Sequence, residues 1–306
     1  MTEFVSFYKA RPACHLRMWG EDAAAFLNSQ FSADLRTPEA GLCVYGLWLN
    51  AKGKVQADSW VWCRDPETFE ILSMGTAGED LREMLERHII ADEVEMEVLK
   101  GSTLLMVQGK DAEGAVSELF GAVPKAGGFI EGAGAVCYPG RRARGAHFDA
   151  CFKDAAAAET AVAKLQAAGA QAVEGVAIEL ERIAAGYPAI PGELGAADLP
   201  GEAGLVGEAV CTTKGCFLGQ ESILRMHNLG QARRGLYRVS GGGSVPELPA
   251  ALMLEGEERP AGELRSAYAT DSGWTGVAIL KLNRMGPGLL CDGAPVNTGD
   301  AMGPVR

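Results

Sequence analysis

Thr213-Lys-Gly-Cys-Phe-Leu-Gly-Gln-Glu221 is the segment of this 306-residue chain whose composition constrains local structure most strongly. Gly215 frees the backbone for a tight turn immediately before Cys216, and Gly219 permits the close approach of another segment before a helix. The expected helix N-terminus and the neighbouring Lys214 would both lower the pKa of the Cys216 thiol. From the spacing alone a packed turn is the better interpretation, because no histidine base or second cysteine stands at an obvious spacing.

The N-terminal half of the chain mixes strands, helices and a hairpin. Residues 43–49 and 55–63 are rich in β-branched and aromatic side chains, and they flank Asn50-Ala-Lys-Gly53, which predicts a hairpin with glycine in its turn. Further strands are predicted over residues 68–73, 94–99, 103–107 and 148–152, and helices over residues 79–90, 112–120, 154–168 and 220–227. Because these elements do not follow a strict βαβ alternation, they favour an α+β fold over a doubly wound sheet.

The C-terminal part of the chain is predicted to be a separate β-rich domain. Gly241-Gly-Gly-Ser-Val-Pro246 is the clearest linker signal in the sequence. Short apolar runs bounded by turn residues follow it, without a helical period. A small β-barrel or sandwich over residues 245–306 is therefore expected, with no long helix between residues 250 and 300.

Charge and hydropathy exclude several classes of partner. The chain has 28 basic and 40 acidic residues and a net charge of −12, which repels phosphate backbones and disfavours a general nucleic-acid binder. No apolar run approaches the roughly 18–20 residues needed to span a bilayer. The first residues contain no basic region leading into an apolar stretch, so no secretory signal is visible. A cytoplasmic location without membrane association is expected.

The cysteines and histidines form no metal-binding pattern. The eight cysteines are never two residues apart, and the four histidines form no cluster with ligand spacing, so no metal site is predicted. Scattered cysteines in apolar stretches of a cytosolic protein are mostly small core residues, and seven of the eight fit that interpretation. Motifs for phosphate-binding loops, zinc proteases and serine-hydrolase elbows are also absent from the sequence.

The octapeptide Lys-Gly-Cys-Phe-Leu-Gly-Gln-Glu, residues 214–221, resembles the signature of the YgfZ-type folate-binding proteins. These proteins are relatives of the aminomethyltransferase, or T-protein, of the glycine cleavage system. Further blocks resemble the family in the same order, namely residues 26–35, 49–58, 182–188, 198–205 and 261–267. The resemblance is collinear over most of the chain and weakest between about residues 100 and 170.

This resemblance implies a GcvT-like ring of three domains around a folate pocket. Residues 1–240 would form the folate-binding region as two intertwined α/β lobes, and residues 245–306 the C-terminal β-barrel. One lobe would comprise about residues 1–100 with 172–240, and the other residues 101–171. The resemblance also implies tetrahydrofolate or a one-carbon derivative as cofactor, and iron–sulfur client or assembly proteins as partners.

The signature assigns candidate site residues by position. Cys216 is its hallmark and would be the functional thiol. The other positions that it assigns to cofactor binding are Lys214, Gly215, Gly219, Gln220 and Glu221. Arg225, which can pair with Glu221 across one helix turn, and Arg182 are further candidates, because a tetrahydrofolate site needs polar anchors and a cation for the glutamate tail. Asp58 is a candidate catalytic carboxylate.

The sequence also departs from the aminomethyltransferases. Ala184 stands where their Arg-Leu-Glu-Ala-Gly segment supplies a glutamate to the pterin, and loss of that carboxylate would weaken or reorient pterin binding. Those enzymes also lack the Lys-Gly-Cys signature, so aminomethyl transfer is disfavoured. The basic trio Arg141, Arg142 and Arg144 is another candidate for the folate tail, although a solvated loop is the better interpretation of it.

Three functional hypotheses follow from these residues and the resemblance. The leading one is a tetrahydrofolate-binding protein that supports iron–sulfur cluster assembly or repair through Cys216. The second is a folate-dependent transferase of an aminomethyl or formaldehyde unit, motivated by the shared scaffold and Asp58. The third is a non-catalytic adaptor whose barrel docks iron–sulfur client proteins. Assays of folate-dependent formaldehyde or methylene transfer distinguish the second hypothesis from the others. Client cluster assembly that is retained after the folate pocket is disabled would favour the third.

Overall fold

The structure, a computed structural model, describes residues 4–229 and 232–303, and of residues 226–229 it describes the backbone alone. The first eleven strands are β1 (Ser6–Ala10), β2 (Cys14–Trp19), β3 (Cys43–Leu49), β4 (Val55–Asp65), β5 (Thr68–Ser73), β6 (Glu95–Val98), β7 (Thr103–Gln108), β8 (Ile130–Gly132), β9 (Ala135–Pro139), β10 (His147–Phe152) and β11 (Gln171–Ala172). The next six are β12 (Arg234–Gly241), β13 (Ala250–Leu254), β14 (Gly262–Thr270), β15 (Gly273–Lys281), β16 (Leu289–Cys291) and β17 (Ala294–Ala301). The α-helices are α1 (Ala23–Gln30), α2 (Gly78–Glu86), α3 (Ala112–Phe120), α4 (Ala155–Ala167), α5 (Gly175–Ala185) and α6 (Gln220–Leu229). No helix in the described ranges is long and apolar enough to cross a membrane.

The first sheet has five antiparallel strands in the order β3-β4-β5-β2-β6. Strands β3 and β4 form the predicted hairpin, in whose register Leu47 lies opposite Asp58. Helices α1 and α2 cover one face of this sheet and share its core. The predicted amphipathic period of α2 is confirmed, because Leu81 and Leu85 are both buried, but the helix ends at Glu86, earlier than predicted.

The second sheet has six strands in the order β11-β1-β7-β10-β9-β8, with α3 and α4 packed on one face. Strand β1 pairs with β7 antiparallel and with β11 parallel, so it belongs to this lobe and not to the lobe predicted for residues 1–100. The physical reason is burial, since Phe7 of β1 lies in the same core as Leu105 and Phe148. The chain therefore enters the second lobe first and then crosses to the first, which makes the two lobes intertwined.

The two sheets pack against each other through the faces that the helices leave free. The shared cluster is formed by Cys43, Trp62 and Leu72 of the first sheet and Leu104, Met106, Val136, Tyr138 and Cys151 of the second. The Tyr138 ring centroid lies 5.2 Å from that of Trp62 and 5.3 Å from that of Trp60. Aromatic packing of this kind fixes the relative position of β4 and β9, the strands that line the cavity described below.

The C-terminal domain is a closed barrel with strand order β12-β15-β14-β13-β16-β17. The predicted β-rich character is confirmed, and the helical structure described between residues 250 and 300 is the short turn Leu282–Arg284. The predicted boundary at residue 245 is wrong, because the barrel already includes Arg234–Gly241. Gly241 is required by packing and does not begin a linker, since a Cβ atom there would lie 2.6 Å from the Trp274 ring.

Candidate functional site

A cavity of about 210 Å³ lies where the two sheets meet helix α5. Its polar and aromatic wall is formed by Tyr45, Asp58 and Trp60 of the first sheet, Tyr138, Arg141, Arg142 and Asp149 from the second lobe, and Glu179 and Arg182 of α5. The first sheet, the second sheet and the helix thus each contribute titratable side chains. Residues that are far apart in sequence meet here because aromatic side chains of β4 and β9, such as Trp60 and Tyr138, pack against each other.

Asp58 and Tyr45 form a hydrogen-bonded pair inside the cavity. The Tyr45 hydroxyl donates to Asp58 Oδ2 at 2.8 Å, across the β3–β4 hairpin. Burial raises the pKa of the Asp58 carboxyl, although the bond from Tyr45 and the charge of Arg141 act in the opposite direction. A carboxyl group in this setting holds a proton more tightly than it would in water, which is the property of a group that donates or accepts a proton in catalysis.

Arg141 is held between two tyrosine rings. Its guanidinium carbon lies 3.6 Å from the Tyr45 ring centroid and 4.7 Å from that of Tyr187, in the geometry of cation–π contacts. Its Nε donates to Glu208 at 2.9 Å. Its Nη2 is buried and has no hydrogen-bond partner within the described part of the chain. The side chain is therefore fixed in position, and its Nη2 group can donate a hydrogen bond to a ligand.

Tyr138 also carries an unsatisfied polar atom. Its ring is fully buried against Trp60 and Trp62, and its hydroxyl has no partner among the residues that the structure describes. Nearby in the wall, burial raises the pKa of Asp149, although the positive charge of Arg142 opposes the shift. A buried hydroxyl without a partner costs about 1–3 kcal/mol, so the cavity is prepared for a ligand that supplies one.

Arg182 lines the cavity as a structural clamp. Its Nε donates to Glu179 at 2.8 Å, its Nη1 to Glu193 at 2.9 Å and to the Tyr187 carbonyl at 2.6 Å, and its Nη2 to Glu193 at 2.8 Å. Nη2 also forms an ion pair with Glu179 at 2.7 Å. Glu193 in turn accepts from Ser266 of the barrel. Arg182 therefore links α5 to the barrel, and its charge is balanced by Glu179 and Glu193 rather than available to a folate tail.

Lys214 anchors the signature segment to the end of helix α1. Its Nζ lies 2.7, 2.5 and 2.7 Å from the carbonyl oxygens of Asn28, Phe31 and Ala33, and burial lowers its pKa to about 8. Three N–H groups thus serve three carbonyls, in the position where a cation stabilises a helix C-terminus. The ammonium group is committed to this segment, so the expected pairing of Lys214 with a thiolate at Cys216 is not what the geometry favours.

The two glycines of the signature play different parts. Gly219 has a φ of +84° and packs against the hairpin turn at Asn50 and Gly53, which confirms the predicted close approach. Gly215 has neither a positive φ nor any neighbour within 4 Å of an added Cβ atom, so the predicted need for glycine in a tight turn there is wrong.

The two cysteines of this region differ in exposure. Cys216 is exposed and precedes the first residue of α6, Gln220, by four positions, so it lies outside the first helical turn. Cys211 is half-buried. Burial raises the pKa of the Cys211 thiol, but hydrogen bonds with the Thr213 hydroxyl and from the backbone N–H groups of Thr213 and Lys214 outweigh it, and the net pKa is lowered. The cysteine with the lowered pKa thus lies outside the signature.

The predicted site residues divide into two places. Among the described residues, the cavity wall includes Asp58 and Arg182 together with Arg141 and Arg142 of the basic trio. Arg144 lines a different cavity with Ala184, whose carbonyl accepts from its Nε at 2.9 Å. The predicted residues that lie outside the wall are Lys214, Gly215, Cys216, Gly219, Gln220, Glu221 and Arg225. Glu221 and Arg225 form the predicted helix pair at 2.8 Å, with both side chains exposed.

Sequence reasoning missed Tyr45, Tyr138, Asp149 and Glu179 as wall residues. A usable signal exists for Asp149, which interrupts the otherwise apolar run of residues 148–152 in β10. A carboxylate in a buried strand is rare unless it has a specific role. The tyrosines carry no such signal, because an aromatic residue in a buried strand is ordinary.

Comparison with known proteins shows two regions of similarity to family models and several similar relatives. The model of the GCVT N-terminal domain matches residues 5–129, and that of the CAF17 C-terminal β-barrel domain matches residues 233–300. A protein named tRNA-modifying protein YgfZ from Photorhabdus laumondii is 26% identical over 240 residues, covering 76% of this chain and 69% of its own length. One of the same name from Vibrio vulnificus is 28% identical over 280 residues, covering 87% and 81%.

A solved structure also matches the fold. The glycine cleavage system aminomethyltransferase T from Bartonella henselae superposes with a TM-score of 0.78 at 17% identity, over 94% of this chain and 82% of its own. The matches confirm the resemblance that the octapeptide indicates and the predicted GcvT-like fold with its C-terminal barrel.

Proposed function

We propose that this chain, which is similar to YgfZ-type proteins and has a GcvT-like fold, binds a reduced folate and supports iron–sulfur proteins through Cys216. The folate would occupy the cavity at the junction of the two sheets. The thiol would act at the protein surface. The two parts of the proposal rest on different residues and can fail separately.

The observation that carries the folate proposal is the pair of buried, unpartnered polar atoms in one cavity wall. Within the described residues, neither Tyr138 Oη nor Arg141 Nη2 has a hydrogen-bond partner. A pterin is flat and bears donors and acceptors around its edge, so it can satisfy such atoms while its faces contact Trp60 and Tyr45. The cavity of about 210 Å³ is below the roughly 300–1,000 Å³ typical of sites for drug-sized ligands, so it suits the ring system with the tail outside.

The unpartnered polar atoms of the cavity wall indicate which residues would hold the folate. Arg141 Nη2 and the Tyr138 hydroxyl would bind the pterin edge, and Asp58 and Asp149 would accept from its amino and N–H groups. Arg142 lines the same wall and is better placed for the ligand's negative charge than Arg182, whose donors are used. A bound tetrahydrofolate would supply the chemistry of a one-carbon carrier.

Exposure of Cys216 supports its proposed role toward partner proteins. Of the eight cysteines, six are buried and Cys211 is half-buried, whereas Cys216 is exposed. A thiol that handles sulfur or iron for another protein must be reached by that protein. Gly215, which no intramolecular contact requires, leaves the approach to Cys216 without a side chain.

The relatives' name suggests a connection with tRNA modification. A net charge of −12 disfavours direct contact with RNA, so the proposal places this protein upstream, in the support of an iron–sulfur enzyme that acts on tRNA. The expected result is that bulk tRNA changes neither fluorescence anisotropy nor melting temperature at 50 mM salt. Binding with the steep salt dependence typical of phosphate contacts would contradict it.

Thermal unfolding with folates tests the cofactor part. A ligand that binds only the native state adds RT ln(1 + [L]/Kd), or about 2.7 kcal/mol at a hundredfold excess over Kd. Reduced folates are expected to raise the melting temperature, and the shift should shrink in Arg141→Ala. If no folate species at millimolar concentration shifts it, the cofactor proposal fails.

One observation favours the folate-dependent transferase as a second candidate. Asp58 lies in the cavity wall, and burial raises the pKa of its carboxyl, which suits proton transfer. A transferase should consume formaldehyde or a methylene donor in the presence of tetrahydrofolate and lose that activity in Asp58→Asn. Folate binding without turnover would contradict the transferase and support only the binding role.

A further inference from the structure

A second cluster of reactive side chains lies outside the cavity described above. His15 of β2 is buried, and its Nδ1 lies 2.7 Å from the Ser102 hydroxyl, immediately before β7. Its Nε2 lies 3.2 Å from Glu70 Oε2 of β5. A hydroxyl, an imidazole and a carboxylate are thus hydrogen-bonded in sequence, with residues from both lobes.

The charge on Glu70 determines where the imidazole proton resides. Burial alone would raise the pKa of Glu70, but hydrogen bonds from His15, Arg64 and Lys153 outweigh it and hold the pKa well below its usual range. An ionised carboxylate only accepts hydrogen bonds, so His15 Nε2 carries the proton. In the neutral imidazole, Nδ1 then presents a lone pair that accepts a hydrogen bond from the Ser102 hydroxyl. This is the hydrogen-bond order of an activated nucleophile, a base and an orienting acid.

Ser102 also lines a cavity, which a buried structural network would not require. This cavity has a volume of about 430 Å³ and is bordered by Arg17, Lys100 and Lys153, with Glu97 as its one carboxylate. Gly101, just before Ser102, has a φ of +83° and no atom within 4 Å of an added Cβ, so the backbone beside the hydroxyl is open. Lys153 is paired with Glu70 at 2.6 Å, so Arg17 and Lys100 supply the positive charge that favours a ligand with negative charge.

We propose that Ser102 and His15 form a hydrolytic site for small acyl esters that carry a negative charge, with Glu70 as the positioning residue. Ser102 Oγ would attack the acyl carbon while His15 Nδ1 accepts its proton. The bond to the leaving alcohol then breaks, and His15 returns the proton to the alcohol oxygen. Water, deprotonated by His15, then attacks the acyl carbon, the bond to Ser102 Oγ breaks, and His15 returns the proton to Oγ, so the acid is released and the sequence needs no other reactant.

Cys151 is the alternative nucleophile at the same imidazole. Its Sγ lies 3.9 Å from His15 Nδ1, and its side chain is buried. Burial raises the pKa of this thiol to about 12, so it stays protonated at neutral pH. The shorter contact and the adjoining cavity both assign the nucleophilic role to Ser102.

Covalent labelling tests the assignment directly. A fluorophosphonate probe on the full chain is expected to modify Ser102, as located by peptide mass mapping, and the label should be lost in Ser102→Ala. Ser6→Ala is the matched control, because it removes a different buried serine hydroxyl. Mapping of the wild-type label does not depend on how any variant folds. A label at another residue, or no label, overturns the proposal.

Ester hydrolysis supplies the second readout. The mono-p-nitrophenyl ester of succinate should be hydrolysed faster than p-nitrophenyl acetate, and kcat should fall at least about 100-fold in Ser102→Ala. Glu70→Gln should lower kcat without raising KM, since it alters the tautomer of His15 and leaves the charge of Lys153 at the cavity without its carboxylate partner. Equal rates in wild type and Ser102→Ala, for protein with unchanged melting temperature, would contradict the proposal.

Discussion

Gly219 and Gly53 lie back to back, so that a Cβ atom added to Gly219 would stand 2.9 Å from the Cα of Gly53. Both have positive φ angles, +84° and +71°. The contact joins the segment that carries Cys216 to the hairpin that carries Asp58. Two sequence blocks that are far apart in the chain therefore depend on each other, because each requires that the other have no side chain at its turn.

Alanine at Gly219 should destabilise the protein, whereas alanine at Gly215 should leave its stability almost unchanged. Gly219→Ala places a side chain at a positive φ and 2.6 Å from the Asn50 carbonyl oxygen, so the free energy of unfolding should fall by about 1–3 kcal/mol. Gly215→Ala meets no atom within 4 Å and should change it by less than about 0.5 kcal/mol. Urea unfolding measures both. Loss of iron–sulfur support in a fully stable Gly215→Ala variant would indicate that Gly215 is needed for a partner protein to reach Cys216.

Removing the Tyr138 hydroxyl should separate ligand binding from stability. Tyr138→Phe deletes a buried atom that has no partner in the described part of the chain, so the free energy of unfolding without ligand should stay the same or rise. Affinity for reduced folate should fall about 5–10-fold, the equivalent of about 1–1.4 kcal/mol. Urea unfolding and titration calorimetry measure the two quantities.

Tyr45→Phe is the matched control, because that hydroxyl has a partner. Its removal leaves the buried Asp58 carboxyl without its donor, so stability should fall by about 1–3 kcal/mol even without ligand. If Tyr138→Phe destabilised the ligand-free protein as much as Tyr45→Phe, the Tyr138 hydroxyl would be bonded within the protein and not reserved for a ligand.

Local patterns predicted the elements that depend on neighbouring residues. Asp154 caps α4 as expected, with its side chain accepting from the Ala156 N–H at 3.0 Å, and the hairpin at Asn50–Gly53 and the Glu221–Arg225 pair are also present. Each of these interactions spans a few residues, so composition and spacing are sufficient to predict it.

What the sequence missed depends on contacts between distant residues. Gly241 resembles the start of a linker because its neighbours are glycines, but the Trp274 ring that excludes a side chain there comes from another strand. In the sequence Arg182 looks suited to bind an anion, but in the structure its side chain donates to Glu179 and Glu193. Similarly, nothing near Lys214 in sequence indicates that its ammonium group will bind carbonyls almost two hundred residues earlier.

The acid sensitivity of the fold should depend on Glu70. The pKa of Glu70 lies below its ordinary value of 4.5 in the folded protein, because bonds from His15, Arg64 and Lys153 outweigh the effect of burial. Its contribution to stability is therefore complete above about pH 4.5 and is lost as the pH falls toward the folded pKa. The difference in unfolding free energy between wild type and Glu70→Gln should be largest near pH 7 and shrink below pH 4.5.

The size of that difference should be moderate. Breaking a fully buried pair costs about 3–5 kcal/mol, but Lys153 is 54% exposed, so about 2–3 kcal/mol is expected at pH 7. Urea unfolding at a series of pH values measures it. A difference that stays constant between pH 7 and pH 3.5 would show that the charge of Glu70 is not what stabilises the fold.

Alkylation should divide the cysteines by burial. Burial raises the pKa of each of the six buried thiols, for example to about 12 in Cys14 and about 11 in Cys63, so they should react slowly at neutral pH. Cys216 should react fastest because it is exposed, and Cys211 should follow because its pKa is lowered although it is half-buried. Iodoacetamide labelling at pH 7.5 with peptide mapping measures the order.

The pair Cys216 and Cys211 then distinguishes reactivity from function. Serine keeps nearly the volume of cysteine, so Cys216→Ser and Cys211→Ser should both fold, as melting temperatures can verify. In a strain that lacks the protein, Cys216→Ser should fail to restore the activity of an iron–sulfur enzyme, whereas Cys211→Ser should restore it. The comparison is strict because hydrogen bonds lower the pKa of the Cys211 thiol, so a role that required only an acidic thiol would depend on Cys211. Equal rescue by both variants would mean that an exposed thiol at position 216 is dispensable, and the proposed surface chemistry would have to be abandoned.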